Sequence, residues 1–315
     1  MSGSRAVFRR VARPLPSAAI AQFTILRMPL SAMRLRAMTV EDVPAGVRLN
    51  QMAGWNQTAS DWERFLTVSP RGCFVSELNG QVCGTVTTIS FQNRFAWIGM
   101  VLVDPQYRGR GIGTDLLKRA IRHLDDEKIP TLKLDATPQG KPLYEKLGFV
   151  AEYEIERWTL RRSPSETAKS SSPDEFGSER LLDSILKRDR EVFGADRGFL
   201  LESLHGGAPD LTLGSWTGSV LQGYALGRRG LFADHLGPWM ASDGAAARTL
   251  LETFLARSSR EAIVVDCLKS NTIAADLLRS CGFTYSRPLT RMFRGPNDDP
   301  GQPELLCAIL GPEFG

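Results

Sequence analysis

Three glycines and two arginines fall within one six-residue stretch, Arg108-Gly109-Arg110-Gly111-Ile112-Gly113. A loop of that composition is suited to hold phosphate. Without a Cβ in the way, backbone N–H groups approach an anion closely, and the unpaired amides and positive end of a following helix favour negative charge. Arg108 and Arg110 add cationic donors at the mouth.

The elements that must position the loop flank it. Residues 97–103 are an apolar run of strand length, and beyond the loop Leu116, Leu117, Ala120, Ile121 and Leu124 recur at helical spacing and predict one buried stripe. The plainest reading is a turn in which glycine serves geometry alone. A dinucleotide fingerprint places glycines first, third and sixth, directly after the strand. Here the sixth position is Thr114 and five residues separate Val103 from Gly109, although Asp135 is placed to pass for a ribose-binding acid. A Walker-type loop needs Gly-Lys-Ser/Thr, which Gly140-Lys141-Pro142 does not supply.

The stretch resembles the GNAT superfamily of acyl-CoA-dependent N-acetyltransferases. Arg108, Gly111 and Gly113 match its Arg/Gln-x-x-Gly-x-Gly/Ala motif between a strand and a helix. Downstream, Leu143-Tyr144-Glu145-Lys146-Leu147-Gly148-Phe149 is similar to the family's Leu-Tyr-x-x-x-Gly-Phe signature.

The resemblance implies acetyl-CoA as co-substrate. Main-chain groups of Val101, Leu102 and Val103 would meet the pantetheine and the thioester carbonyl, and the amides of Arg108, Gly109, Arg110, Gly111, Ile112, Gly113 and Thr114 the pyrophosphate. It implies Tyr144 as general acid, since a phenol of free pKa about 10 lies near enough to a thiol's about 8.5 to protonate a departing thiolate. Asp135 is open to two roles, general base or cap of the next helix. The acceptor is expected across the sheet, with Trp55 as an aromatic wall and Asn56 and Gln57 as polar anchors, or with Trp55 merely packing. Pro138 and Pro142 stand where the family usually has asparagine and alanine, which bears on the shape of the cleft.

At 315 residues and 42% hydrophobic, the chain is long enough for two domains. Residues 33–162 read as the catalytic domain. It should hold a strand at 33–38, a helix through Val43, Val47 and Leu49, a helix at 60–66 and a hairpin at Asn79-Gly80. After the glycine loop come a strand ending at Asp135, the Tyr144 helix and two closing strands near 149–154 and 157–160. Residues 163–178, rich in serine and proline, read as a linker.

Residues 179–315 repeat the plan weakly. Setting Gly282-Phe283 on Gly148-Phe149 is an offset of 134, which puts Leu278 at the position of Tyr144. The corresponding loop, Ser242-Asp243-Gly244-Ala245-Ala246-Ala247-Arg248, has one glycine and an added acid. This half reads as a degenerate copy that does not bind CoA, or as an unrelated accessory domain. The expected fold class is mixed α/β, α+β-like: two tandem GNAT-like domains, each a twisted, mostly antiparallel sheet flanked by helices.

Residues 1–32 carry Arg5, Arg9, Arg10, Arg13 and Arg27 and no acid. Their composition suits an organellar presequence or a misassigned start upstream of Met28 or Met33. The misassigned start is favoured, giving a cytoplasmic protein, with a mitochondrial or plastid location as the alternative. The net charge of +4 sits mostly in this leader, so no nucleic-acid partner is expected. No apolar run approaches the roughly 18 residues of a membrane span. The five cysteines are scattered and the three histidines form no ligand pattern, so reduced thiols and no metal are expected.

The sequence thus reads as an acetyl-CoA-dependent N-acetyltransferase acting on a primary amine, either a small molecule or a protein lysine. The alternatives are a catalytically idle acyl-CoA sensor or interaction module, and an NAD-dependent oxidoreductase. Nothing in the sequence speaks to oligomeric state.

Overall fold

The computed structural model describes residues 33–163 and 178–315, so the basic leader and nearly all of the expected linker lie outside the described residues. The first half runs β1 (Met33–Ala37), α1 (Val43–Met52), α2 (Ala59–Val68), β2 (Phe74–Leu78), β3 (Gln81–Phe91) and β4 (Phe95–Val103). It continues with α3 (Ile112–Asp126), β5 (Thr131–Ala136), α4 (Lys141–Lys146) and β6 (Val150–Arg161). Local chemistry sets several boundaries. Thr58 and Asp61 form a capping box before α2, the Thr58 amide donating to the Asp61 carboxylate at 2.7 Å. Asn79 and Gly80 both take positive φ between β2 and β3, as a two-residue hairpin turn requires. The apolar stripe of α3 is buried as its spacing predicts, packed on β2, β3 and β4.

The second half follows with α5 (Ser178–Phe193), α6 (Gly198–Gly207), β7 (Thr212–Thr217), β8 (Val220–Arg229), β9 (Asp234–Ala241) and α7 (Gly244–Arg257). It closes with β10 (Ala262–Leu268), α8 (Thr272–Ser280), β11 (Thr284–Arg294) and β12 (Leu306–Ala308).

These strands join in one sheet, in the order β1-β2-β3-β4-β5-β11-β6-β10-β12-β9-β8-β7. Pairing is mostly antiparallel; the crossovers through α3 and α7 give the parallel pairs β4–β5 and β9–β10. The order records an exchange. β11, from the second half, inserts between β5 and β6, while β6, from the first half, pairs along β10 from Ala262↔Arg161 to Leu268↔Ile155. The expected pair of closing strands near 149–154 and 157–160 is therefore a correction: β6 is unbroken. Glu154-Ile155-Glu156 contains no turn residue, and the strand is held on both edges, by β11 and by β10.

The halves also share a core. Trp62 and Phe65 of α2 are buried with Tyr224 of β8 and the C-terminal Phe314, whose ring stacks on Phe65 at 4.7 Å. Among the described residues no helix is long and apolar enough to cross a membrane, and no group of three or more His, Cys, Asp or Glu is placed to hold a metal ion.

Candidate active site

β4 and β5 pair only from Phe95↔Thr131 to Trp97↔Lys133. Beyond Trp97 they part. On the other edge of β4, its register with β3 shifts between Thr85 and Thr87, and Met100 takes a positive φ of 50°, the mark of a bulge. The separation leaves main-chain groups of the second half of β4 facing a cleft of about 580 Å³. Val101, Leu102 and Val103 line one wall of it, and Pro138, Leu143 and Tyr144 line another.

The glycine loop joins the end of β4 to α3, beside this cleft. Gly109 and Gly111 take φ of 73° and 86°, left-handed values that a side chain resists, and a Cβ on either would meet open space. The N–H groups of residues 109–114 donate to no acceptor among the described residues. Gly111 is the N-cap of α3 and brings no capping side chain, so the positive end of that helix is free. Arg108 lies in the cleft lining, its Nε donating to the Val103 carbonyl at 3.1 Å.

Tyr144 sits in α4, its ring edge-on to the buried Phe149 at 6.2 Å and close over Gly140. Its hydroxyl makes no hydrogen bond among the described residues, and the protein packed around it pushes the phenol pKa up to about 12. Asp135 also faces the cleft, but Arg291 of β11 takes both of its oxygens, at 2.9 Å each, and its side chain has no exposure. The structure therefore does not favour Asp135 as a base, nor does it cap the next helix.

Of the three residues expected on the acceptor side, Trp55 and Gln57 line the cleft and Asn56 does not. Asn56 is a correction. It is buried and clamps the loop before β9, donating to the Ala233 carbonyl at 2.9 Å and accepting from the amides of Phe232 and Ala233. Gln57 is 5% exposed, and its Oε1 has no hydrogen-bond partner among the described residues.

The rest of this wall was not anticipated from sequence. It comes from Arg157 of β6, from Arg287 and Leu289 of β11, and from Pro312 and Glu313 at the C-terminus. The main chain of Glu313 passes so close to Gly99 that a Cβ there would lie 2.7 Å from its carbonyl oxygen. Its carboxylate pairs with Arg228 at 2.5 Å, and Arg228 reaches Asp61 at 3.0 Å. Arg157 is held by Asp266 with two bonds of 2.7 Å. Burial alone would push the Asp266 carboxyl up; Arg157, with His235 at 3.1 Å from the Oδ2 that Arg157 also holds, keeps it well below the usual carboxylate range. The wall was hidden because its residues reach the cleft through the strand exchange and through the C-terminal stretch that passes Gly99.

The corresponding gap in the second half is filled. β9 and β10 pair only from Asp234 to Leu236 and Ile263 to Val265, and beyond that β12 lies between them, with Cys267 opposite Ala308 and Leu306 opposite Met240. Asn271, the N-cap of α8, ties β12 down by donating to the Leu306 carbonyl at 3.0 Å. The helix after the degenerate loop is capped from within, the Asp243 side chain accepting from the Ala246 amide at 2.8 Å. Leu278, at the position of Tyr144, is fully buried.

Residues 46–149 match the family described as "Acetyltransferase (GNAT) family", and residues 185–306 match the "Acetyltransferase (GNAT) domain". The chain is 26% identical over 266 residues to a holothin acyltransferase of a Pseudoalteromonas species, covering 83% of this chain and 87% of that one. It is 25% identical over 243 residues to the uncharacterized N-acetyltransferase YitH of Bacillus subtilis, covering 77% and 85%. A candidate acetyltransferase from Pyrococcus horikoshii shares the fold with a TM-score of 0.72 at 22% identity, over 92% of this chain and 98% of that one. A GCN5-related N-acetyltransferase from Sphaerobacter thermophilus does so at 0.60 and 17%, over 85% and 98%. With a matching domain in each half and relatives aligned across both, the chain belongs to the GNAT superfamily of N-acetyltransferases and carries two such domains in tandem.

Proposed function

We propose that the chain moves an acetyl group from acetyl-CoA to a primary amine by direct attack, in the cleft between β4 and β5. One observation carries the reading: Tyr144, whose hydroxyl makes no hydrogen bond among the described residues, lines the same cleft as Arg108, the first residue of a loop whose amides are uncapped. The loop suits a diphosphate, because its N–H groups have no acceptor among the described residues and open space lies in front of Gly109 and Gly111. Arg108 and Arg110 add positive charge beside it.

Bound acetyl-CoA supplies an activated acyl group and a thiolate leaving group. The β4 main chain from Val101 to Val103 receives the pantetheine arm and polarises the carbonyl oxygen. Tyr144 gives its proton to the departing sulfur. The amine enters past Trp55 and Gln57. Among the described residues of the cleft, both carboxylates, Asp135 and Glu313, are paired with arginine, and no histidine lines it. The amine therefore arrives as its free base, its proton lost to water, rather than being deprotonated by Asp135.

Calorimetry with acetyl-CoA and with NAD, followed by thiol release across an amine panel, tests this reading. Acetyl-CoA binding with turnover is expected; binding without turnover is what an idle sensor would give, and NAD binding in its place would overturn the assignment.

A further inference from the structure

Arg287 is held at the cleft without a counter-ion. β11 meets β6 with Tyr285 opposite Trp158 and Arg287 opposite Arg157, so Ser286 is an extra residue in the strand. Residues two apart on a strand share a face, and one extra residue reverses that. Tyr285 accordingly packs edge-on against Trp158 at 6.1 Å, while Arg287 lines the cleft beside Arg157 on the other side of the sheet. The two arginines then differ in one respect. Arg157 is committed to Asp266, whereas Arg287, half-buried, makes no ion pair and no hydrogen bond among the described residues. Burial and the neighbouring Arg157 lower its hold on its proton, and Asp266 offsets this only in part.

A half-buried cation facing a substrate cleft, with a like charge beside it and no partner, calls for an anion. The glycine loop lies between β4 and α3 and only its Arg108 lines the cleft, whereas Arg287 lines it together with Trp55, Gln57 and Leu289. Gln57 adds a second unsatisfied group there, its buried Oε1 suited to an N–H donor. Building on the transferase reading, we propose that the acceptor is a small amino acid-type molecule, its carboxylate held by Arg287 and its amine directed toward the cleft near Gln57 and Tyr144. A guanidinium presents two parallel N–H groups to a carboxylate, a geometry that a neutral amide cannot match. The cleft, about 580 Å³, must take the pantetheine arm as well as the acceptor's amine and carboxylate.

The test uses the full chain and matched acceptors: a panel of amino acids, each beside its own primary amide, assayed by thiol release from acetyl-CoA, with acetyl-CoA affinity measured separately by calorimetry. At least one acid should exceed its amide by about 10- to 100-fold in kcat/KM, the range for a hydrogen bond to a charged group. Arg287→Gln should abolish that gap by slowing the acid alone, Arg287→Lys should keep part of it, and neither should change acetyl-CoA affinity. The proposal is overturned if amides match acids on the unaltered chain, if no acid is acetylated, if Arg287→Gln slows both alike, or if it weakens acetyl-CoA binding. Acetyl-CoA binding with turnover of amides leaves the transferase reading standing without the carboxylate; failure to bind acetyl-CoA removes both.

Discussion

Arg291 grips Asp135 through two bonds of 2.9 Å, although the two residues come from opposite halves of the chain. The pair sits where the exchanged strand β11 meets β5, with Asp135 in the cleft lining and the Trp97 ring 4.4 Å from the guanidinium. Both side chains are out of water, 5% and 0% exposed. Their work is to fasten the second half's strand to the strand that bounds the first half's cleft. Removing one partner from a buried pair leaves an uncompensated charge, and Arg291→Ala should cost about 3–5 kcal/mol in denaturant unfolding. Replacing both, with Asp135→Leu and Arg291→Met, should recover most of that. A single-variant cost under about 1 kcal/mol would show that the pair fastens nothing.

Acid should loosen the Arg157–Asp266 pair at the cleft. Asp266 is held below its unfolded pKa, so its contribution to stability is complete above about pH 4 and is lost as pH falls further. Unfolding followed from pH 6 downward should show a destabilisation in the unaltered chain that is smaller in Asp266→Asn. Equal slopes would mean that Asp266 is not the group responsible.

The phosphate loop should tolerate little at Gly111. With φ at 86° and open space in front, Gly111→Asp fits sterically but strains the backbone and sets a carboxylate among amides meant for a diphosphate. Acetyl-CoA affinity should fall about 10-fold or more, since a carboxylate repels the anion and competes for the same donors. Unchanged affinity in calorimetry would move the coenzyme elsewhere.

One acetyl-CoA should bind per chain. β12 fills the gap between β9 and β10, and Asp243 occupies the helix end that would otherwise face an anion. A calorimetric titration giving two equivalent sites would contradict this.

Much of this was legible in the sequence because it is local. The α3 stripe, the Asn79-Gly80 turn and the loop glycines each fix their own geometry within a few residues. The 134-residue offset even places a strand after Gly282-Phe283 to match β6 after Gly148-Phe149. What it does not carry is the partner. Alternation tells a strand which face to bury, not which neighbour to pair with, so the β6–β11 exchange, and with it Arg287 at the cleft and Arg291 on Asp135, had no local signature, and neither did the approach of Glu313 to Gly99. Asn56 misled for a similar reason: a polar residue between helices reads as a ligand anchor until the distant loop that it clamps is known.

Tyr144→Phe tests the central claim most directly. The substitution keeps the ring packed on Phe149 and removes only the hydroxyl of this cleft-lining residue. Turnover of acetyl-CoA with an acceptor amine should fall about 100-fold or more, the size of a lost general acid, while the acetyl-CoA dissociation constant stays put. With the phenol pushed up to about 12, the unaltered enzyme's rate should rise with deprotonation of the acceptor amine and show no fall below pH 10. A Tyr144→Phe enzyme as fast as the unaltered one would contradict the account.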